Sequence, residues 1–193
     1  MSPPVRDAGP ADAASILSIY APFVEETAVS FETDVPSVDE MAARIEGTSE
    51  TYPWLVHEDG EVCGYAYACA HRGRAAYRWS VETSAYVAPD ARRRGVARAL
   101  YAALFELLAL QGFVRAHAGI AQPNEASERF HAALGFERVG VYPSVGHKRG
   151  AWHDVAWWSR ALAEPAAPPA EPTPAGALRG SPAWRRCLAP DER

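Results

Sequence analysis

Apolar residues recur at Ile16, Leu17, Ile19, Tyr20, Phe23 and Val24, the spacing of a helix with one buried face, behind Pro10 and an Asp12 able to cap it. Ser37-x-x-Glu40 reads as a capping box opening a second helix through Met41, Ala42 and Ile45. Between them, Val29-Ser30-Phe31-Glu32-Thr33 is apolar enough to be partly buried and too short to be a core element, so Phe31 either seals the fold or lines a pocket. The pattern then changes. Trp54 to Glu58, Asp59-Gly60, and Glu61 to Ala70 predict a β-hairpin, because Asp-Gly supplies the positive φ angles of a two-residue turn. In its second arm, small residues alternating with Tyr65 and Tyr67 predict close neighbours on one face. Trp79 to Val87 has strand composition, ended by Ala88, Pro89 and Asp90. Ala97, Leu100, Tyr101, Leu104, Leu107 and Leu108 return to helical spacing. A strand over Phe113 to Ile120 follows, then a helix over Asn124 to Leu134 closed by Gly135. Phe136 to Tyr142 and Asp154 to Leu162 read as two last strands, separated by a Pro/Gly-bearing loop.

The order β-β-β-α-β-α-β-β behind two helices predicts an α/β chain of the α+β kind, one mixed sheet with helices on both faces. From Glu164 the sequence becomes EPAAPPAEPTPAG, where repeated Pro opposes both helix and ladder, so 1–163 is expected as one domain and 164–193 as a disordered tail in which Trp184 and Leu188 have no evident partner. With 193 residues, 48% of them hydrophobic, the chain can bury one sizeable core. A net charge of −5 argues against a nucleic-acid binder working through bulk charge. The N-terminal MSPPVRDAGPADAA has no apolar signal core and no run approaches the ~18–20 apolar residues of a span, which together predict a cytoplasmic protein without a membrane partner. Cys63 and Cys69, six residues apart on one strand, lie about 20 Å from each other and are expected to be core thiols, with Cys187 the third cysteine. The histidines show no metal-ligand spacing, and His147 and His153 lack a Cys partner, so no metal is expected.

Chemistry concentrates after the central strand. A strand feeding a helix through Arg92-Arg93-Arg94-Gly95-Val96-Ala97, with Arg98 behind it, leaves N–H groups unpaired at the helix start, and these with the dipole and the arginines make an anion seat. Gly95, without Cβ, lets a diphosphate approach the main chain. The other reading of three arginines there is a solvated basic turn. Glu82, in the middle of an apolar strand, is costly to bury unless paired or used. Its two readings are a proton acceptor, or a partner for Arg78 on the same strand face.

Arg92-x-x-Gly95-x-Ala97 resembles the R/Q-x-x-G-x-G/A loop of the GCN5-related N-acetyltransferases, and Asn124-x-x-Ser127-x-x-x-His131-x-x-x-Gly135-Phe136 resembles their second acetyl-CoA motif. WSVETSAYV, LLALQGF, NEASERFHAALGF and KRGAWHDVAWW, spread over roughly residues 5 to 162, are similar to the phosphinothricin and methionine-sulfoximine N-acetyltransferases within that superfamily. The resemblance implies the acetyltransferase fold, with a mostly antiparallel mixed sheet, and direct acetyl transfer from acetyl-CoA, through a tetrahedral intermediate, to the α-amine of a small amino-acid-like compound. It also implies a homodimer. Arg92 to Arg98 would hold the diphosphate, Asn124 and Ser127 the pantetheine side, and a strand amide near Tyr86 or Val87 the developing oxyanion. Glu82 becomes the general base. Many members carry a tyrosine where His131 stands; here the imidazole either takes part in proton transfer or packs an apolar helix face. Arg78 is a candidate for the substrate carboxylate, a guanidinium being able to bind both oxygens. Phe31, Tyr86, Lys148 and Trp152 are candidates for shaping the substrate cavity, while His153 and Asp154 read equally well as a hydrogen-bonded turn. Lys148-Arg149-Gly150 stands where close relatives often have Lys-His-Gly. Acetyltransferases for other amines, such as a protein N-terminus or a polyamine, and a non-catalytic acyl-CoA-binding module are the alternatives.

Overall fold

A computed structural model describes residues 5–189. Its strands are β1 (Val5–Asp7), β2 (Trp54–Asp59), β3 (Glu61–Ala70), β4 (Ser80–Val87), β5 (Arg115–Ala121), β6 (Glu137–Lys148) and β7 (Ala151–Ala161). The helices are α1 (Ala13–Glu26), α2 (Val38–Ser49), α3 (Val96–Gln111), α4 (Glu125–Ala133), α5 (Ala175–Leu178) and α6 (Pro182–Leu188). One seven-stranded sheet runs in the order β1-β2-β3-β4-β5-β7-β6. Every neighbouring pair is antiparallel except β4 and β5. A parallel pair needs a crossover, and α3 supplies it.

The alternation along β3 explains how the layers stack. Tyr65 joins Trp54 and Val56 in the core beneath α1 and α2, whereas Ala66 and Ala68 lie in the core under α3. At Gly64 a Cβ would come within 2.6 Å of Val96 Cγ1 and 3.2 Å of the Tyr86 carbonyl oxygen, so the missing side chain is what lets the first turn of α3 settle on the sheet. Ser37 and Glu40 form the expected capping box on α2. Asp12 stands at the start of α1 without bonding to it; its carboxylate accepts from the Gly9 amide and from Arg6.

Four expectations change. β1 did not stand out in the sequence, since only three residues pair with β2. The loop expected between the last two strands is a long hairpin: Pro143 lies between the paired residues Tyr142 and Gly146, where the register shifts, and β6 is an edge strand that can accommodate it. Arg149 and Gly150, at φ 55° and 78°, form its two-residue turn. The tail expected to be disordered is ordered over its described part: α6 packs on α3, Trp184 is fully buried and donates Nε1–H to Asp7, and the Thr173 amide donates to the Gln111 carbonyl. Proline excludes a ladder, but one large aromatic anchor and a few main-chain bonds suffice to seat an extended strap. Residues 1–4 and 190–193 lie outside the described part. Cys63 and Cys69 are half-buried rather than core residues, and Cys187 is buried. Among the described residues no helix is long and apolar enough to cross a membrane, and no three potential metal ligands cluster.

Candidate active site

The site follows from an interruption in the sheet. β4 and β5 pair only over Ser80–Glu82 with Arg115–His117, whereas β5 and β7 stay paired as far as Ala121 and Val155. Beyond Glu82 the two strands part, and the gap is lined by Thr83, Ser84, Ala85 and Tyr86 of β4, Ala118 to Ala121 of β5, and Tyr101, Asn124, Ser127 and His131 from the helices, around about 70 Å³.

At one end of this gap stands Glu82. Its Oε1 lies 3.0 Å from His71 Nδ1 and accepts a hydrogen bond from Arg72 NH1 at 3.2 Å. The His71 ring is stacked on His117, centroids 4.1 Å apart. Burial, with the neighbouring His71 and the charges of Arg115 and Arg72, pushes the His117 pKa down to about 4. Glu82 therefore has cationic and imidazole partners, but Arg78 is not among them. Arg78 and Trp79 precede β4, in a turn, and Arg78 bonds to Glu171 at 2.7 Å while Trp79 Nε1 donates to the Ala170 carbonyl.

At the other end, about 17 Å along β4 at ~3.3 Å per residue, lies the anion seat. Val87, Ala91, Arg92, Arg93, Gly95, Val96, Ala97, Arg98 and Phe130 line a cavity of about 410 Å³. Gly95 caps α3 at φ 86° and Arg93 holds φ 63°, curling the loop ahead of the free first-turn amides. A Cβ on Gly95 would meet no protein atom within 4 Å, so the space before these amides is open to a ligand. Arg94 pairs with Asp59 at 3.2 Å. The residues fit a diphosphate.

His131 sits between them, buried, with its pKa lowered chiefly by that burial. Nδ1 donates to the Ser127 carbonyl at 2.8 Å, a partner that can only accept, so Nε2 is the acceptor facing Tyr101 Oη at 3.2 Å. The cleft thus offers a Tyr101–His131 pair rather than a lone imidazole. Asn124 Oδ1 is occupied as the N-cap of α4, accepting from the Ser127 amide, which leaves its NH₂ for a ligand.

A family profile described as acetyltransferase (GNAT) domain matches residues 5–157. The chain belongs to the GNAT acetyltransferase family. Relatives at full domain length agree. The phosphinothricin N-acetyltransferase of Streptomyces coelicolor is 42% identical, the match covering 82% of this chain and 95% of that protein. The L-methionine sulfoximine/L-methionine sulfone acetyltransferase of Pseudomonas aeruginosa is 40% identical, covering 81% and 93%. Among solved structures, a GNAT superfamily phosphinothricin acetyltransferase from Sinorhizobium meliloti in complex with AcCoA superposes with a TM-score of 0.82 at 40% identity, covering 90% of this chain and 94% of that one. The protein is an acetyl-CoA-dependent N-acetyltransferase.

Within this GNAT chain the structure brings together Glu82, Tyr86, Asn124, Ser127 and His131 along the gap, and Val87, Arg92, Arg93, Gly95, Val96, Ala97 and Arg98 at the seat. Of the other candidates for the acceptor, Arg78, Phe31, Lys148 and Trp152 line neither the gap nor the seat. Lys148 is 8% exposed, and its ammonium donates to the carbonyls of Val24 and Ser30, both at 2.7 Å, tying the hairpin to the end of α1. Trp152 is 66% exposed and packs against the His147 ring across the hairpin. Phe31 covers Gly146 and lies 6.2 Å from the His153 ring. Asp154 lies within β7 and accepts from the Ser144 amide of β6 across the hairpin, so it and His153 belong to a strand rather than to the hydrogen-bonded turn that was expected. The residues that sequence reasoning missed are His71, Arg72, His117 and Tyr101. The first three carry no motif and meet only through strand register; Tyr101 stood in the helical apolar pattern with nothing to mark its hydroxyl.

Proposed function

We propose that this enzyme acetylates the α-amine of a small amino-acid-like acceptor of the phosphinothricin, methionine sulfoximine or methionine sulfone type. The names of the relatives support the substrate class, and one observation carries the mechanism: Glu82 occupies the last paired position before β4 and β5 separate, so a carboxylate stands where an acceptor can meet a thioester held along β4. An α-amine is largely protonated at neutral pH and cannot attack until it gives up a proton. Glu82 takes that proton, and Arg72 and His71 hold the carboxylate in place. Acetyl-CoA supplies an activated acetyl group. The amides at Gly95 to Arg98, with Arg92 and Arg93, hold its diphosphate, and Asn124 and Ser127 border the pantetheine path. Free main-chain groups of β4 near Tyr86 and Val87 stabilise charge on the reacting carbonyl oxygen. The Tyr101–His131 pair lies in the same gap, beside the path of the departing thiolate, with His131 the candidate to take part in its proton transfer. Direct attack needs no covalent acetyl-enzyme, so the half-buried Cys63 and Cys69 are dispensable.

The enzyme acts as a homodimer in the cytoplasm. Its use of acetyl-CoA supports the compartment, and the exposed apolar face of the hairpin, with Val139 68% exposed alongside Tyr142, Val145 and Trp152, supports the dimer. Residues 164–189 strap a catalytic body formed by the preceding chain.

The deciding experiment follows free-thiol release from acetyl-CoA with phosphinothricin, L-methionine sulfoximine, L-methionine sulfone, spermidine and an N-terminal peptide as acceptors. Turnover on the first three is expected to exceed the others by at least ~10-fold; activity confined to the peptide or spermidine would overturn the acceptor class. Tight CoA binding without turnover on any amine would leave only a binding module. Protection of a sensitive host from phosphinothricin would demonstrate capacity rather than natural role.

A further inference from the structure

We propose that Glu171 of the C-terminal strap is a positioning residue of the acceptor site: with the neighbouring Ala170 carbonyl, it holds the loop between β3 and β4 so that Arg72 meets Glu82. This rests on the reading of Glu82 as the base and adds a segment that acts on it through the loop. Both ends of that loop, residues 71–79, bear on the carboxylate. At its start the His71 Nδ1–H and an Arg72 guanidinium N–H donate to Glu82 Oε1, at 3.0 and 3.2 Å. At its end the Trp79 carbonyl accepts from the Val114 and Arg115 amides, opening the short β4–β5 ladder in which Glu82 is the last paired position.

Between those ends the loop has no core of its own. Every residue from Arg72 to Arg78 is exposed, and its one turn, Ala75–Tyr77, buries nothing. Such a segment takes its position from whatever grips it. The strap supplies the grip. Arg78 donates Nε–H to the Ala75 carbonyl at 2.8 Å, and the same guanidinium donates to Glu171 at 2.7 Å, so it joins the turn to the strap. The next residue, Trp79, donates Nε1–H to the Ala170 carbonyl at 2.7 Å, and its ring lies 5.5 Å beneath the Arg78 guanidinium. Two consecutive strap residues thus engage two consecutive loop residues. With Arg78 held by Glu171, Arg72 is the arginine on Glu82. The strap is fastened on both sides of the grip. Before it the Leu162 amide donates to the Val114 carbonyl; after it the Thr173 amide donates to the Gln111 carbonyl, and the Gln111 side chain returns a bond to the Thr173 carbonyl. These anchors precede α6, so loosening α6 leaves the grip in place. The family match ends at residue 157, and the grip comes from outside it. The Arg78–Glu171 pair is exposed, at 43% and 67% of the two side chains, so it adds little to global stability and its consequence is local.

The test compares the full-length enzyme with Glu171→Arg, which sets two like charges against each other, and Trp79→Phe, which keeps a ring and removes the donor. The readouts are kcat/KM for L-methionine sulfoximine, or for the most active amine of the acceptor panel, at saturating acetyl-CoA, the Kd for acetyl-CoA, Tm, and hydrogen exchange of residues 71–79. Both variants are expected to lose at least ~3-fold in acceptor kcat/KM and to exchange the loop amides at least ~3-fold faster, with the Kd for acetyl-CoA and Tm unchanged. Native kcat/KM in either variant overturns the positioning role. A loss matched by weaker acetyl-CoA binding and a lower Tm also overturns it, because the strap would then support the whole fold rather than the loop. Native turnover in Glu82→Gln would instead remove the base itself, a failure distinguishable because it appears in a different variant.

Discussion

Gly95 holds φ at 86°, where an L-residue costs roughly 1–2 kcal/mol, and the space before it is empty of protein atoms. Gly95→Val is therefore expected to raise the Kd for acetyl-CoA at least ~10-fold in calorimetric titration, with Tm lowered by several degrees through the strain at this φ; an unchanged Kd would remove the diphosphate from this loop. His117 carries a second prediction. Its pKa is about 4 in the folded chain against the 6.5 of an unperturbed imidazole, so between those values the unfolded state binds the proton and the folded state does not. This contribution to stability is present above about pH 6.5 and is lost as the pH falls toward 4, and His117→Gln should flatten that part of the curve of Tm against pH. At this scale Glu82 and Gly95 were legible because a carboxylate in an apolar strand and a glycine opening a helix are each anomalous where they stand. Arg78 and Lys148 have protein partners that their charge alone did not reveal: one bonds to Glu171 of the tail and the other to the Val24 carbonyl at the end of α1.

At the scale of elements, the cosubstrate seat depends on how closely α3 lies to β3. Gly64→Ala forces a Cβ to within 2.6 Å of Val96 Cγ1, and the expected result is a loss of about 1–3 kcal/mol in denaturant unfolding together with weaker acetyl-CoA binding, since Val96 lines the seat. Lys148→Met leaves the Val24 and Ser30 carbonyls without their donor and is expected to cost a further ~1–3 kcal/mol with the KM for the acceptor unchanged; a raised KM with full stability would return Lys148 to the substrate site. Hydrophobic period identified both large helices and the central strands. It could not show β1, whose three residues are too few to display a period, nor the outer half of the last hairpin, where Pro143 and Gly146 look like a loop although an edge strand tolerates them.

For the whole molecule, the sequence order of strands implied one mixed sheet, but not the separation of β4 from β5 on which the site depends, because a gap in a ladder leaves no mark in either strand. Nor was the seating of the tail legible from its composition; Trp184 finds its cavity only once α3 and β1 are assembled. Trp184→Ala is expected to destabilise the enzyme by about 3–5 kcal/mol without changing the acceptor KM. The proposed dimer predicts a native mass of two chains in light scattering that Val139→Asp on the exposed hairpin shifts to one; a native enzyme that is already monomeric would overturn the dimer, and a dimeric variant would overturn this face as its interface. The central claim is that the two ends of β4 work as one site, main-chain amides at Gly95 holding the acetyl donor and Glu82 freeing the amine. The most direct measurement is acetyl-CoA affinity and turnover in the same Glu82→Gln preparation. The account predicts a native Kd with kcat reduced ~10²–10⁴-fold; native kcat, or loss of both together, would contradict it.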